Sequence, residues 1–143
     1  MAGRDDEAAI RRLLAEYCHC YDDRRRDDFA SLFTEDAVFV VMGRSTAGRA
    51  AIRDTIGTQA PDQPPGQHVT YNTVIDVDDD GTSARAWTDF CYLKRDDGTL
   101  SISTAGRYHD HLVREPDRWR FARRTIVFLG EPDPDDTSPA PEA

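Results

Sequence analysis

The chain has 143 residues, a length typical of one domain that buries its apolar surface without metal or disulfide cross-links. Its net charge of −9 argues against a nucleic-acid partner, because phosphate binding needs a basic face. No apolar run is long enough for a membrane span or a secretory signal, so we expect a soluble cytoplasmic protein without a membrane partner.

The cysteines, histidines and acidic residues further limit which kinds of site the chain can form. Cys18, Cys20 and Cys91 are an odd number without a CxxC pair, which predicts reduced thiols rather than a disulfide framework or a zinc site. His109 and His111 lack a third ligand at suitable spacing, so we expect no metal. Proline-rich residues 131–143 carry five acids and no bases, which predicts a disordered acidic tail after a single domain over residues 1–130.

The first predicted element is a helix that begins near residues 4–6 and ends around residues 24–26. Its apolar residues recur at three- and four-residue steps, the spacing of one buried face: Ile10, Leu13, Leu14, Tyr17 and Tyr21. Asp22 falls about 140° from Tyr17, at ~100° per residue, on the flank of this face. A carboxylate there can reach a cavity beneath the helix, although Asp22 and Asp23 can also belong to a solvated helix end.

Short elements and one long loop follow the first helix. A helix capped by Asp27 or Asp28 runs to Phe33, residues 37–42 form a β-branched strand, and residues 49–56 form a third helix after a turn over 43–48. Residues 57–66 contain three prolines and two glycines, which predicts a loop long enough to cover a pocket.

The second half of the chain predicts four long antiparallel strands. Their bounds are residues 67–77, 83–94, 99–114 and 118–129, with turns at residues 78–81, 97–98 and 116–117. Helices first and strands afterwards predict the α+β class, in which helices cover one face of a curved antiparallel sheet. Polar residues that point into such a curve are candidates for chemistry.

Alternation along the strands groups side chains by face without saying which face points inward. It places His68 with Thr70 and Asn72. It also separates Arg124, grouped with Ala122, Ile126 and Phe128, from Trp119 and Phe121 on the opposite face. Asp89 lies mid-strand, where an unpaired carboxylate costs free energy, so it is paired, functional or solvated.

The order of the motifs resembles the SnoaL-like family of the nuclear-transport-factor-2-like superfamily. The matching motifs lie between about residues 10 and 130: YxxxxD at Tyr17 and Asp22, DFASLFTEDAVF, GRAAI, HVTYN, GRYHDHLVREPDRWRF and Arg124. The resemblance implies a cone-shaped α+β barrel with a pocket between the first helix and the sheet. It also implies a homodimer through the outer sheet face, with Trp87 or Trp119 buried between the chains.

Within that superfamily the pattern is similar to cofactor-free lyases such as scytalone dehydratase, bile-acid dehydratase and hexachlorocyclohexane dehydrochlorinase. In the last two, an Asp on the first helix orients a His that removes a proton from the substrate, and Asp22 and His68 fall on those positions. The resemblance implies that Tyr17 belongs to the site and that Arg124 stabilises a leaving group or oxyanion. Asp89 matches a second pocket acid more weakly. The second histidine of scytalone dehydratase has no counterpart in the middle strands.

We therefore expect a cofactor-independent lyase or isomerase that acts on a hydrophobic cyclic small molecule (a polyketide, terpenoid, steroid or aromatic compound). The predicted catalytic residues are Tyr17, Asp22, His68 and Arg124, and the predicted substrate-binding residues are Asn72, Asp89, Thr104 and Tyr108.

Three alternatives stay open. One is a polyketide-cyclase-like, ring-closing enzyme in which a carboxylate dominates. Another is epoxide hydrolysis by an Asp–Arg–Asp set, to which Asp89 and Arg107 could contribute. The last is a non-catalytic ligand-binding module or a protein like the small subunit of a dioxygenase. An Asp22–His68 pair inside the cavity favours the enzyme, whereas a pocket filled by aromatic side chains (Trp87, Phe90, Tyr92), with His68 turned to solvent, favours the module.

Overall fold

Three helices and six strands build the described part of the chain. The computed structural model describes the backbone of residues 2–134 and the side chains of residues 5–134. The elements are α1 Ala2–Asp22, α2 Arg26–Ser31, β1 Phe33–Val41, β2 Arg44–Ala47, α3 Arg49–Thr55, β3 Gly66–Val77, β4 Ser83–Asp96, β5 Thr99–Arg114 and β6 Trp119–Phe128. The α+β class is confirmed. From residue 135 onward, the predicted tail lies outside the described residues.

The strands form one curved, mixed sheet in the order β2-β1-β6-β5-β4-β3. The β3–β4, β4–β5 and β5–β6 pairs are antiparallel as predicted, but β1 runs parallel to β6, so the expectation of an antiparallel sheet is wrong for this pair. The predicted turn over residues 43–48 also contains a strand. Met42 and Gly43 both have positive φ, the geometry of a two-residue hairpin turn, and this turn folds β2 back onto β1.

Helix α1 lies across one face of the sheet, which we call the inner face. Its apolar stripe is buried as the periodicity predicts, with Ile10, Leu13 and Tyr17 almost fully enclosed. Every second residue of β4 faces this helix, including Ala86 and Phe90. The alternate residues of β4 therefore lie on the opposite, outer face of the sheet.

An extra residue in β3 reverses which side chains point inward. Tyr71 pairs with Asp89 and Thr73 pairs with Thr88, so Asn72 between them is an unpaired bulge residue with φ of 49°. His68 faces inward before the bulge, whereas Thr73 faces inward after it. The prediction that Asn72 shares the face of His68 is wrong, because the alternation changes at Asn72 itself.

A second bulge, in β6, also reverses which side chains point inward. Phe121 pairs with Leu112 and Arg123 with His111, which leaves Ala122 unpaired. Trp119 and Phe121 are therefore buried on the same side as Arg124, against the prediction from simple alternation. The indole Nε1 of Trp119 donates a hydrogen bond to Asp6 Oδ1 at 3.1 Å within the chain. Trp119 is thus enclosed by its own chain, and the expectation that it lies between two chains is wrong.

Candidate functional site

The end of α1 meets the start of β3 through Asp22 and His68. Asp22 is the last residue of the helix, two to four residues earlier than predicted. Its Oδ1 lies 2.7 Å from His68 Nδ1, and its Oδ2 accepts a hydrogen bond from the backbone N–H of His68 at 2.8 Å. The two side chains are 12% and 11% exposed, so the predicted contact is present and lies largely out of solvent.

The hydrogen bond at Nδ1 fixes the chemistry of the imidazole ring. Because the carboxylate accepts the proton on Nδ1, the neutral ring of His68 keeps Nε2 as its free acceptor. No hydrogen bond joins Nε2 to another residue within the described range. A neutral imidazole with a free Nε2 and a supporting carboxylate is equipped to take a proton.

Aromatic rings enclose His68. The ring centroids of Tyr92, Tyr21, Tyr17 and Phe90 lie 4.8, 5.0, 6.1 and 6.5 Å from that of His68. Burial raises the pKa of Tyr21 and of Tyr92, so both phenols stay protonated hydrogen-bond donors at neutral pH. The site around the predicted base is therefore apolar, with phenol groups at its edge.

Tyr92 is a site residue that sequence reasoning treated only as a possible pocket filler. It pairs directly with His68 across β3 and β4, and its hydroxyl is buried without a hydrogen-bond partner among the described residues. A Cβ on Gly66 would lie 1.9 Å from this hydroxyl, so a glycine at this position lets the ring approach the strand. The register of two hairpin strands would have to be known to find this contact from the sequence.

The predicted loop over residues 57–66 ends at residue 65, where β3 begins, and it lies against the end of α1 beside Asp22 and His68. Arg24 has a positive φ of 59° at the helix terminus, and its guanidinium donates to the carbonyl oxygens of Ala60 and Gln63 at 2.9 and 2.8 Å. Gln59 Nε2 donates to the carbonyl oxygen of Tyr21 at 2.6 Å. Three hydrogen bonds thus hold this loop to the helix that carries Asp22.

Arg124 forms a buried ion pair with Asp110, a partner that the sequence did not reveal. Its side chain is 1% exposed, and its Nε and Nη2 donate to Asp110 Oδ1 and Oδ2 at 2.8 and 2.9 Å. Its Cζ also lies 4.1 Å from the ring centroid of Tyr17 and 3.8 Å from that of Tyr108. Asp110 stands directly opposite Arg124 in the β5–β6 register, a relationship that alternation within one strand cannot show.

The Arg124 pair leaves several buried polar atoms unused. Burial raises the pKa of the Asp110 carboxyl against the opposing effect of Arg124. Burial also works to lower the pKa of Arg124, but the Asp110 carboxylate outweighs it and the net shift is upward. Arg124 Nη1 and the hydroxyls of Tyr108 and Thr88 have no partner among the described residues. Such donors are able to bind water or polar atoms of a ligand.

The remaining predicted site residues divide between the two faces. Thr104 faces inward opposite Tyr92, and Tyr108 lies beside Arg124. Asn72 and Asp89 lie on the outer face, where Asp89 accepts hydrogen bonds from Asn72 at 3.2 Å and from Arg107 at 2.6 Å. The hydrogen bond from Arg107 lowers the pKa of Asp89. The sheet therefore separates these two residues from His68.

Two further features concern metals and membranes. Between residues 5 and 134, no three His, Cys, Asp or Glu side chains are grouped as ligands for a metal ion. No helix in the described range is long and apolar enough to cross a membrane.

Comparison with known proteins assigns the chain to a family. The sequence model of the SnoaL-like domain family matches residues 4–125. An uncharacterised protein of Mycobacterium tuberculosis is 29% identical over 121 residues, which cover 83% of this chain and 82% of that protein.

Solved structures show the same fold. A nuclear-transport-factor-2-like protein with a cystatin-like fold from Novosphingobium aromaticivorans is 26% identical with a TM-score of 0.80, over 88% of this chain and 83% of that one. A candidate scytalone dehydratase from the same organism has a TM-score of 0.77 at 23% identity, over 99% of this chain and 97% of that one. From the match over most of its length, the chain belongs to the SnoaL-like family of the nuclear-transport-factor-2-like superfamily.

Proposed function

We propose that the protein is a cofactor-independent lyase or isomerase in which His68 removes a proton from a hydrophobic cyclic small molecule. The observation that carries this proposal is the double hydrogen bond of Asp22 to His68, which leaves Nε2 free inside an aromatic enclosure. The family contains relatives of dehydratases and cyclases, which supports chemistry of this class.

The proposed reaction begins with transfer of a substrate C–H proton to Nε2 of His68. The electron pair of that bond becomes a new double bond as a leaving group departs in a lyase, or moves into conjugation before the proton returns elsewhere in an isomerase. Asp22 stabilises the imidazolium that forms. The phenols of Tyr92, Tyr21 and Tyr17 border His68 and stabilise negative charge that develops on a substrate oxygen.

Arg124 takes a positioning role in this proposal. Two of its guanidinium nitrogens are already bound to Asp110, and its charge is balanced by that carboxylate. The guanidinium packs against Tyr17 and so holds the ring that borders His68. Only Nη1 is left to donate to a substrate, directly or through a water molecule.

Substrate entry needs movement near Asp22 and His68, because both side chains are largely enclosed. The loop over residues 57–65 is the segment without regular structure beside them. Its hydrogen bonds to Arg24 and Tyr21 are exchangeable with water, so we propose that this loop opens to admit the substrate and then excludes water.

The alternatives receive less support from the site. Asp89 and Arg107 pair on the outer face, so an epoxide hydrolase built on them would lie away from the enclosure. The inner carboxylates of Asp22 and Asp110 are bound to His68 and Arg124, which disfavours a cyclase driven by a free carboxylate. The binding-module alternative required His68 to point to solvent, but its side chain is only 11% exposed.

Two accompanying features belong to the proposal. We propose a homodimer through the outer sheet face, where Val74 and Ile102 are 56% and 68% exposed. We also propose a cytoplasmic location, since Cys18, Cys20 and Cys91 are all free thiols, which suits a reducing compartment.

Exchange of substrate protons tests the proposed base. Cyclic ketones and β-hydroxy ketones are incubated with the protein in D2O, and deuterium incorporation and product formation are followed by NMR. His68→Gln should reduce the rate by roughly 10²–10⁴-fold, because general base catalysis contributes that much. Asp89→Asn, which removes a carboxylate on the outer face, is the control and should leave the rate unchanged. A His68→Gln rate within about tenfold of the parent, ~1.4 kcal/mol, would contradict the proposal.

A further inference from the structure

Arg24 is a cation at the edge of the site, and its hydrogen-bond partners are neutral. Its Nη1 and Nη2 donate to the carbonyl oxygens of Ala60 and Gln63 at 2.9 and 2.8 Å. Within residues 5–134 it forms no ion pair, although Asp62 lies between these two residues in the same loop. Acidic side chains are abundant in a chain with a net charge of −9, so a cation without one at this position calls for a reason.

The guanidinium acts on the two phenols that border His68 most closely. Burial raises the pKa of Tyr21 and of Tyr92, and the positive charge of Arg24 opposes this rise at both hydroxyls. The centroids of these two rings lie 5.0 and 4.8 Å from that of the imidazole. A negatively charged group of a molecule bound at this edge would therefore be attracted by Arg24.

The two nitrogens that donate to the loop form one edge of the guanidinium. This edge matches both oxygens of a carboxylate, and a hydrogen bond between two charged groups is stronger than one to a neutral carbonyl. Asp22 does not take this place, because both of its carboxylate oxygens bind His68. A carboxylate that reaches Arg24 can therefore replace the loop carbonyl oxygens as its partner.

A second donor at the same edge of the site is available to a ligand. The hydroxyl of Tyr92 is buried and makes no hydrogen bond to another described residue. Buried hydroxyls normally have a hydrogen-bond partner, so that of Tyr92 suits a polar atom of a bound molecule. Arg24 and Tyr92 together fit a ligand with two acceptor groups, of which one is an anion.

We propose that the substrate is a cyclic keto acid whose carboxylate binds Arg24 in place of the loop carbonyl oxygens. Its ketone oxygen accepts a hydrogen bond from Tyr92, and a C–H group next to the ketone faces Nε2 of His68. Binding of the carboxylate frees the loop over residues 57–65 from Arg24, which couples substrate entry to substrate charge. This inference rests on the proposed function, because it names the substrate class of the same site.

A matched pair of probes tests the inference through binding alone. The probes are 3-oxocyclohexane-1-carboxylate and its methyl ester, which share the ring and the ketone but differ in charge. In H2O, proton exchange leaves both probes chemically unchanged, so NMR titration of the full chain gives their Kd values. The acid should bind at least ~10-fold more tightly than the ester, because only the acid forms a charged bidentate pair. Equal Kd values, or no binding of the acid, would overturn the inference.

Substitutions of Arg24 assign the preference to this side chain. Arg24→Gln should abolish the difference between the two Kd values, and Arg24→Lys should keep part of it, since lysine retains the charge without the fork. The control Arg26→Gln removes an equal charge from an exposed residue of α2 and should leave the difference unchanged. A change in folding or in the loop alone would shift the affinity of both probes together. A preference for the acid that survives in Arg24→Gln would refute the role of Arg24.

Deuterium exchange separates this inference from the proposed function. If the bound acid exchanges no proton in D2O, or exchanges it equally in His68→Gln, the proposed base is wrong, whereas the binding data still assign the carboxylate to Arg24. In the active enzyme, Arg24→Gln should raise the KM of the acid roughly 10-fold with kcat nearly unchanged, because the carboxylate is bound equally before and during proton transfer. An equal loss in kcat for acid and ester would instead show that Arg24 only supports the fold.

Discussion

Asp22 binds His68 twice, once through the imidazole Nδ1 at 2.7 Å and once through the backbone N–H at 2.8 Å. The carboxylate therefore fixes both the position of the strand and the orientation of the ring that it carries. A hydrogen bond to the imidazole ring alone would not fix the backbone of His68, so the start of β3 could shift relative to α1. This double contact joins the end of α1 to the start of β3.

Asp22→Asn should disturb the ring more than the fold. The amide replaces one of the two carboxylate oxygens that contact His68 by an NH2 group, so one of the two hydrogen bonds loses its acceptor, and the NH2 group can donate to Nδ1 and favour the other tautomer. Nitrogen NMR of the His68 ring should show the proton on Nδ1 in the parent and its redistribution to Nε2 in the variant. Asp23→Asn is the neighbouring control. A parent ring with its proton on Nε2 would rule out the arrangement described here.

Arg124 and Asp110 should behave as one unit in unfolding experiments. Arg124→Met leaves a buried carboxylate without its partner and should lower the free energy of unfolding by about 3–5 kcal/mol. The double variant R124M/D110L removes both charges and should recover most of that loss, because a buried ion pair is replaceable by apolar side chains. Urea unfolding of the two single variants and the double variant measures this coupling. Additive losses would show that the two side chains act independently.

The folded protein should lose stability in alkaline solution, because several buried groups ionise less readily in the fold than in the unfolded chain. Burial raises the pKa of the Cys18 thiol from 9.0 to about 11, and it raises the pKa of Tyr17 and of Tyr108 above the ordinary 10.0. In each case the unfolded chain releases its proton first, so stability that is complete below pH 9 falls as the pH rises towards 11.

Ultraviolet absorbance of tyrosinate and circular dichroism, followed through the same pH range, check this expectation. Tyr17 and Tyr108 should ionise only as the fold is lost, because burial raises the pKa of both phenols. Ionisation of all five tyrosines with the fold intact would contradict it.

Gly66→Ala should displace the ring of Tyr92. The added methyl group would lie 1.9 Å from the hydroxyl and 2.0 Å from Cζ, so the ring or the strand must move. We expect a loss of about 1–3 kcal/mol in the free energy of unfolding, typical of overpacking. In a Tyr92→Ala background the same substitution should cost much less, because the obstructing ring is gone. Equal losses in both backgrounds would assign the effect to the backbone at residue 66.

Ile102→Lys should weaken the proposed dimer. Ile102 pairs with Leu93 on the outer face, and a charge there would be buried without a partner between two chains. Sedimentation at micromolar concentration should show a dimer for the parent and a Kd raised at least ~10-fold, ~1.4 kcal/mol, for the variant. Met42→Lys, at an equally exposed apolar residue on a remote turn, is the control. A parent that sediments as a monomer would remove the dimer proposal.

Local spacing predicted the parts of the structure that depend on local geometry. The 3.6-residue period of α1 places Tyr17 inward and Asp22 on its flank whatever the helix packs against, and the turn at Asp97 and Gly98 needs only its own two residues. The pairing of strands that are distant in the chain could not be predicted from the sequence. The parallel β1–β6 contact and the position of Asp110 opposite Arg124 follow from strand register, which leaves no mark in residue spacing.

The bulges at Asn72 and Ala122 are the points at which β3 and β6 can lose a residue without exchanging their two faces. Deletion of Ala122 would remove the bulge but leave Phe121 opposite Leu112 and Arg123 opposite His111, so Arg124 would still point inward beside Asp110. Deletion of Asn72 would likewise leave Thr73 opposite Thr88 and keep Ile75 in the core. A single-residue deletion at a regularly paired position has no extra residue to absorb it, and it turns the inward side chains beyond it towards solvent.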